Sequence, residues 1–248
     1  MASTLAGHHS GSISFIVLLG RRKSGKSSTG NTILGREEFE TGKKTTMAEK
    51  VLGLVDEHRL GIVDTPGWSL LGLANSEQVK QEILRSARLT SYGLRTYLLI
   101  IPVDSFKKKD RRAVEEHVDL LGDSTWPHTI VVFTWGDLLR GKSIEKHIEQ
   151  MGEPLQWVLR KCNNRYHVIS NKTACDCSQV SHLLQLSHTL QTSIYPTAHV
   201  IPRHILNIPD GVRSHWRGRD RPTDASYSIE MINNERWRHM NMQDLYQH

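Results

Sequence analysis

The chain has only three cysteines in 248 residues, Cys162, Cys175 and Cys177. That is too few for a disulfide framework and points to a reducing, cytoplasmic setting. No apolar run reaches the roughly 18 residues that a membrane span needs. The opening stretch "MASTLAGHHSGS" has neither the charged flank nor the long apolar core of a signal peptide. Residues 1–11 read as a flexible start. Aromatics are scarce, at 6%. Basic residues are not interleaved with them, which excludes the usual nucleic-acid surface. Much of the formal charge of +6 lies in "RRK" (Arg21 to Lys23) and "KKKDRR" (Lys107 to Arg112). Such runs are most simply solvated loop and helix faces.

What is present is an alternation of strand-like and helix-like segments. "ISFIVLL" (Ile13 to Leu19), "TYLLIIPV" (Thr96 to Val103) and "TIVVFTW" (Thr129 to Trp135) are short apolar runs, as buried parallel strands require. "VLGLVDE" (Val51 to Glu57) and "RLGIVDT" (Arg59 to Thr65) read as two strands across a tight turn, and "RYHVIS" (Arg165 to Ser170) as the last strand. Helical patterns cover Ser27 to Leu34, Ser76 to Thr90, Asp110 to Leu121 and Ser178 to Ile194. A further stripe runs from Ile144 to Leu159, kinked or interrupted at Pro154. The fold class is α/β, a mostly parallel sheet with helices on both faces, over residues 12–195. Beyond it the periodicity is lost. Four of the eight prolines (Pro196, Pro202, Pro209, Pro222) lie there. Residues 196–248 read as a poorly structured tail with a short helix near Ile229 to Met242.

The stretch "GRRKSGKSS" (Gly20 to Ser28) follows the first strand and opens a helix. It matches G-x-x-x-x-G-K-[ST], whose turned-back amides and helix N-terminus hold phosphates. The candidate phosphate ligands are Gly20, Arg21, Lys23, Ser24, Gly25, Lys26, Ser27 and Ser28. Lys26 suits the β- and γ-phosphates and Ser27 suits Mg²⁺. "DTPG" (Asp64 to Gly67) closes a second strand. Asp64 suits a water-mediated Mg²⁺ role, and the Gly67 amide suits the γ-phosphate.

The base is read from "TWGD" (Thr134 to Asp137), which fits the [NT]-x-x-D pattern of guanine readers. The Asp137 carboxylate can accept from N1–H and N2–H₂ of guanine. Adenine offers no donor there, so GTP is favoured over ATP. Trp135 stands where a Lys or Arg is usual. An indole can stack on a purine, at roughly 1–3 kcal/mol. Equally, Trp135 can be a core aromatic at a strand end. Asn171, in "SNK" (Ser170 to Lys172), is placed for the O6 or N7 edge. A zinc site at Cys175, Cys177 and His182 lacks a fourth well-spaced ligand.

These residues, with "LLIIPVDSFKKKDRRAVEEHVDLLG", "VVFTWGDLL" and "KCNNRYHVISNK", resemble the immunity-associated GTPases, the GIMAP family, from about Ser14 to Leu190. The resemblance implies a P-loop GTPase fold with a six-stranded sheet, one strand antiparallel. It implies GTP/GDP and Mg²⁺ as ligands, and homodimers or oligomers of the G domain when GTP is bound. It also implies peripheral association with intracellular membranes and a role in lymphocyte survival and immune responses. The switch threonine that binds Mg²⁺ falls on Thr45, with Thr46 beside it. Hydrolysis has less support. The position after the DTPG glycine, often a water-orienting glutamine, is Trp68. Where some members supply an arginine to a partner, this chain has Asp104. The expected function is a self-associating guanine-nucleotide switch with slow hydrolysis. A non-hydrolysing scaffold and an ATP-dependent enzyme are the competing readings.

Overall fold

The computed structural model describes residues 13–56, 58–70, 76–90, 94–172 and 177–194. The expected flexible start and tail, Cys175, and the side chain of Cys177 lie outside the described residues. Six strands form one sheet: β1 (Ser14–Leu19), β2 (Glu49–Val55), β3 (His58–Asp64), β4 (Leu94–Pro102), β5 (Thr129–Thr134) and β6 (Tyr166–Val168). Their order is β2-β3-β1-β4-β5-β6. β2 is antiparallel to β3, and every other pairing is parallel. The helices are α1 (Lys26–Leu34), α2 (Ser76–Leu89), α3 (Lys108–Val118), α4 (Ile144–Met151), α5 (Glu153–Lys161) and α6 (Cys177–Ile194).

Two apolar layers cover the sheet. Val17, Leu19, Val63, Leu99, Val131 and Phe133 face one core cluster, with Ile83, Val118 and Leu155. Ile16, Leu18, Ile62, Leu98, Ile130 and Val132 face the other, with Ile33 and Leu183. Residues of odd and even number thus part to opposite faces, as the two-residue pleat dictates. Cys162 is fully buried, and burial pushes its thiol up to about 12, so it packs rather than reacts. Just before β2, the Ala48 amide donates to Glu82 of α2, and the Ala48 carbonyl accepts from Arg85 of the same helix.

The sequence pattern places the strands well. The kink expected at Pro154 is corrected. The chain breaks at Gly152, with φ 69 and ψ −158, and Pro154 sits inside the first turn of α5. Pro has no N–H to lose there, so it starts a helix rather than bending one. Gly152 supplies a backbone conformation that residues with a Cβ resist. Gly152→Ala should therefore cost about 1–3 kcal/mol in denaturant unfolding. Pro154→Ala should cost less than about 1 kcal/mol. The reverse ranking would restore the kink to Pro154.

Candidate nucleotide-binding site

In open α/β sheets ligands lie outside the carboxyl ends of the strands. Four loops gather there. One follows β1, one β3, one β5 and one β6. The order β3-β1-β4 makes β1 the strand from which the chain departs to both sides.

The loop after β1 wraps into α1. Gly25, at the helix N-cap, has φ 92 and ψ 17. Its carbonyl accepts from Thr29 at 2.8 Å. Lys26 is 6% exposed, and its ammonium donates to the Arg21 carbonyl at 3.2 Å. Burial pushes Lys26 down to about 8, against the pull of Asp64. Lys23 is exposed with φ 60. Ser28 accepts from the Thr32 hydroxyl through its carbonyl. Arg22 donates its N–H to the Trp68 carbonyl at 2.8 Å. Gly67 comes so close that a Cβ there would lie 2.7 Å from both the Arg22 nitrogen and the Lys26 ammonium. The loop after β3 therefore lies against the phosphate loop, and only a glycine fits.

Three oxygen side chains meet beside Lys26. Ser27 Oγ donates to Asp64 Oδ2 at 2.6 Å, and Thr45 Oγ1 donates to the same oxygen at 3.2 Å. The two hydroxyls are 3.5 Å apart. Asp64 is 2% exposed, and burial raises its carboxyl above the ordinary range. Its Oδ1 is buried without a hydrogen-bond partner. An orphaned carboxylate oxygen beside two hydroxyls fits a hard cation with oxygen ligands. Thr45 joins this group, whereas Thr46 is exposed. Among the described residues no three of His, Cys, Asp and Glu gather around a cation site.

The base loops are braced to the phosphate loop. Thr134 is fully buried, and its hydroxyl donates to the Ser24 carbonyl at 2.7 Å. Ser24 is itself buried, and its own hydroxyl has no partner. Asn171 donates to Thr29 Oγ1 at 3.3 Å and accepts from Thr32 Oγ1 at 3.1 Å. Both ends of its amide are thus taken by α1. Trp135 is half-buried against the core with φ 61, a costly conformation for a bulky residue. Asp137 is exposed, and its carboxylate accepts from Lys172 at 2.8 Å. The Lys172 ammonium holds that carboxyl below the usual range.

Several partners carry no sequence signal. Lys172 is legible only as a neighbour of Asn171. Trp68 is 2% exposed and stacks on His117 at 4.7 Å between ring centroids, turned into the core. Burial lowers His117, which keeps the ring neutral against the indole. Asp104 pairs with Arg21 of the phosphate loop. Among the described residues no helix is long and apolar enough to cross a membrane.

A family model described as the AIG1 family matches residues 14–199. Immune-associated nucleotide-binding protein 5 of Arabidopsis thaliana is 32% identical over 177 residues, which cover 69% of this chain and 58% of that protein. GTPase IMAP family member 8 of Homo sapiens is 27% identical over 183 residues, 72% of this chain and 27% of that protein. The chain thus spans only part of the relatives it matches. Toc33 from Arabidopsis thaliana in complex with Mg²⁺ and GMPPNP superposes with a TM-score of 0.57 at 17% identity, over 73% of this chain and 85% of that one. A dimerization-deficient mutant of Toc33 gives 0.59 at 18% identity, over the same shares. At such identity the likeness is one of fold. The chain has the P-loop GTPase fold and belongs to the AIG1 family.

Proposed function

We propose that the chain is a guanine-nucleotide-binding switch that takes GTP or GDP with Mg²⁺, self-associates in the GTP state and hydrolyses GTP slowly. The observation that carries this reading is the convergence of Lys26, Ser27, Thr45 and Asp64 beside the loop after β1. Lys26 would balance charge on the β- and γ-phosphates, with the amides of the loop and of Gly67 around them. Ser27 and Thr45 would hold Mg²⁺ directly and Asp64 through water; the ion would neutralise phosphate charge. Asp137 would read guanine N1–H and N2–H₂, with Trp135 stacked on the ring. Thr134 and Asn171 support the base loops through their bonds to Ser24 and α1.

Hydrolysis requires water to attack the γ-phosphorus as the bond to the bridging oxygen breaks and GDP leaves. The water's proton passes to the released phosphate. Trp68 cannot hold that water, being buried against His117. Asp104 adds negative charge, and it engages Arg21. The same two facts favour a second reading, a scaffold that binds GTP without cleaving it. Self-association and peripheral attachment to intracellular membranes from the cytoplasm are supported by the family resemblance.

Asp137→Asn should weaken GDP binding by about 10²–10⁴-fold, as two hydrogen bonds to a charged acceptor are lost. The preference for GTP over ATP should collapse in a competition assay. Unchanged affinity and preference would sink the guanine assignment.

Lys26 also sets a pH dependence. Its cation is the binding form. Without ligand it keeps its proton only up to about pH 8. Among phosphate oxygens it keeps it to higher pH. Affinity should be flat from pH 7 to that point, then fall by about tenfold per unit. Calorimetry at pH 8.5 in buffers of different ionisation heat should register proton uptake. A flat profile to pH 9.5 would show that burial does not lower Lys26 in the free protein or that its ammonium does not meet the phosphates.

Single-turnover phosphate release should run on the order of 10⁻³ s⁻¹ or slower. Light scattering with a non-hydrolysable GTP analogue should show a dimer or larger species. No release at all selects the scaffold reading, and a monomer at every concentration removes self-association.

A further inference from the structure

The strap of Ser170, Asn171 and Lys172 is held from three directions. Gln179, in the first turn of α6, accepts from the Ser170 N–H at 2.9 Å and donates to the Ser170 carbonyl at 3.1 Å. One side-chain amide thus pairs with one peptide as a neighbouring strand would. Asn171 is tied to α1 through Thr29 and Thr32. Lys172 reaches across to Asp137. Behind the strap, the Gly136 N–H donates to the Ile169 carbonyl at 3.2 Å, joining the β5 and β6 loops.

The strap therefore carries the partner of Asp137, the carboxylate read above as the guanine contact.

We propose that Gln179 is a positioning residue for base recognition: it fixes the Ser170 peptide, and with it the strap that ties Asn171 to α1 and carries Lys172 onto Asp137. The inference rests on the guanine reading above. Gln179 is not needed to dock α6. That helix is already held by Val180, Leu183, Leu184 and Leu190 in the core. Hydrogen bonds from Ser187 and Gln191 to Thr96 hold it as well. The Gln179 amide reaches the strap from α6.

The test compares GDP, ADP and pyrophosphate binding by calorimetry on the full chain. Gln179→Ala should weaken GDP about tenfold, the scale of losing a part-buried pair of amide hydrogen bonds. The GDP-over-ADP ratio should fall by a similar factor, and pyrophosphate affinity should not change. Gln179→Glu keeps the acceptor for Ser170 N–H but loses the donor to its carbonyl, so its ratio should lie between the two. This variant serves as the readout if Gln179→Ala does not fold. A wild-type ratio in Gln179→Ala, or equal losses for GDP and pyrophosphate, would overturn the proposal. A wild-type protein that does not prefer GDP to ADP overturns the guanine reading, and this inference with it.

Discussion

Lys26 is a cation with almost no water around it. Burial has drawn its pKa down to about 8. The nearby Asp64 is equally dry, and burial moves its carboxyl the other way. Each group stabilises the other's charge, but neither is satisfied. A buried ion that lacks a full set of partners is expensive to keep. A polyanion with its cation would supply what is missing, which is what suits such a site to phosphates. The rest of the local structure serves this one imbalance. The glycines bring backbone close to the ammonium. The end of β3 delivers the carboxylate. α1 closes the far side.

The base end of the site obeys a different rule. Asp137 is exposed, and Lys172 keeps it ionised. An exposed ion pair of this kind is weak, so a ligand can displace it cheaply. What must be rigid is the position of the loops. That rigidity comes from bonds in which each partner lies on a different element: the buried one from Thr134 to Ser24, and the part-buried ones from Asn171 to Thr29 and Thr32. Base recognition and phosphate recognition are therefore coupled through α1 and its loop. A strain at Asn171 is felt at Thr29, within the same turn of α1 as Lys26.

The strands and the loop order are legible because β1, β4 and β5 are continuous apolar runs and each ends in a motif. Lys26, Ser27, Asp64 and Asp137 are legible because their chemistry requires fixed spacing within one loop. Thr45 rests on the family's spacing alone, with Thr46 left open, since adjacent threonines differ only in which way the backbone turns them; Thr45 is the one that reaches Asp64. The break at Gly152 reads as one at Pro154 because the pattern shows a proline in an apolar stripe but not that a helix begins there. Gln179 is invisible for another reason. Its partner is a backbone peptide, and peptides have no letter in a sequence. Asn171 differs again: its partners are the side chains of Thr29 and Thr32, which lie about 140 residues earlier in the chain and are brought to it only by the fold.

Trp68 shows how the switch loop is anchored. A glutamine after DTPG would be polar and would stay near solvent, where it could hold a water. An indole at that position gains far more by burial, some 1.5–3 kcal/mol or more for a large side chain. It turns into the core and lands on His117 of α3. The Arg22 N–H then fastens the Trp68 carbonyl to the phosphate loop. The loop after β3 is thus fixed at both its side chain and its backbone. Such an anchor removes the water-orienting group and at the same time links the γ-phosphate position to α3. Any movement of Gly67 toward a phosphate must shift Trp68 against His117. The backbone bond to Arg22 and the ring contact with His117 thus join the phosphate loop to α3 through one residue.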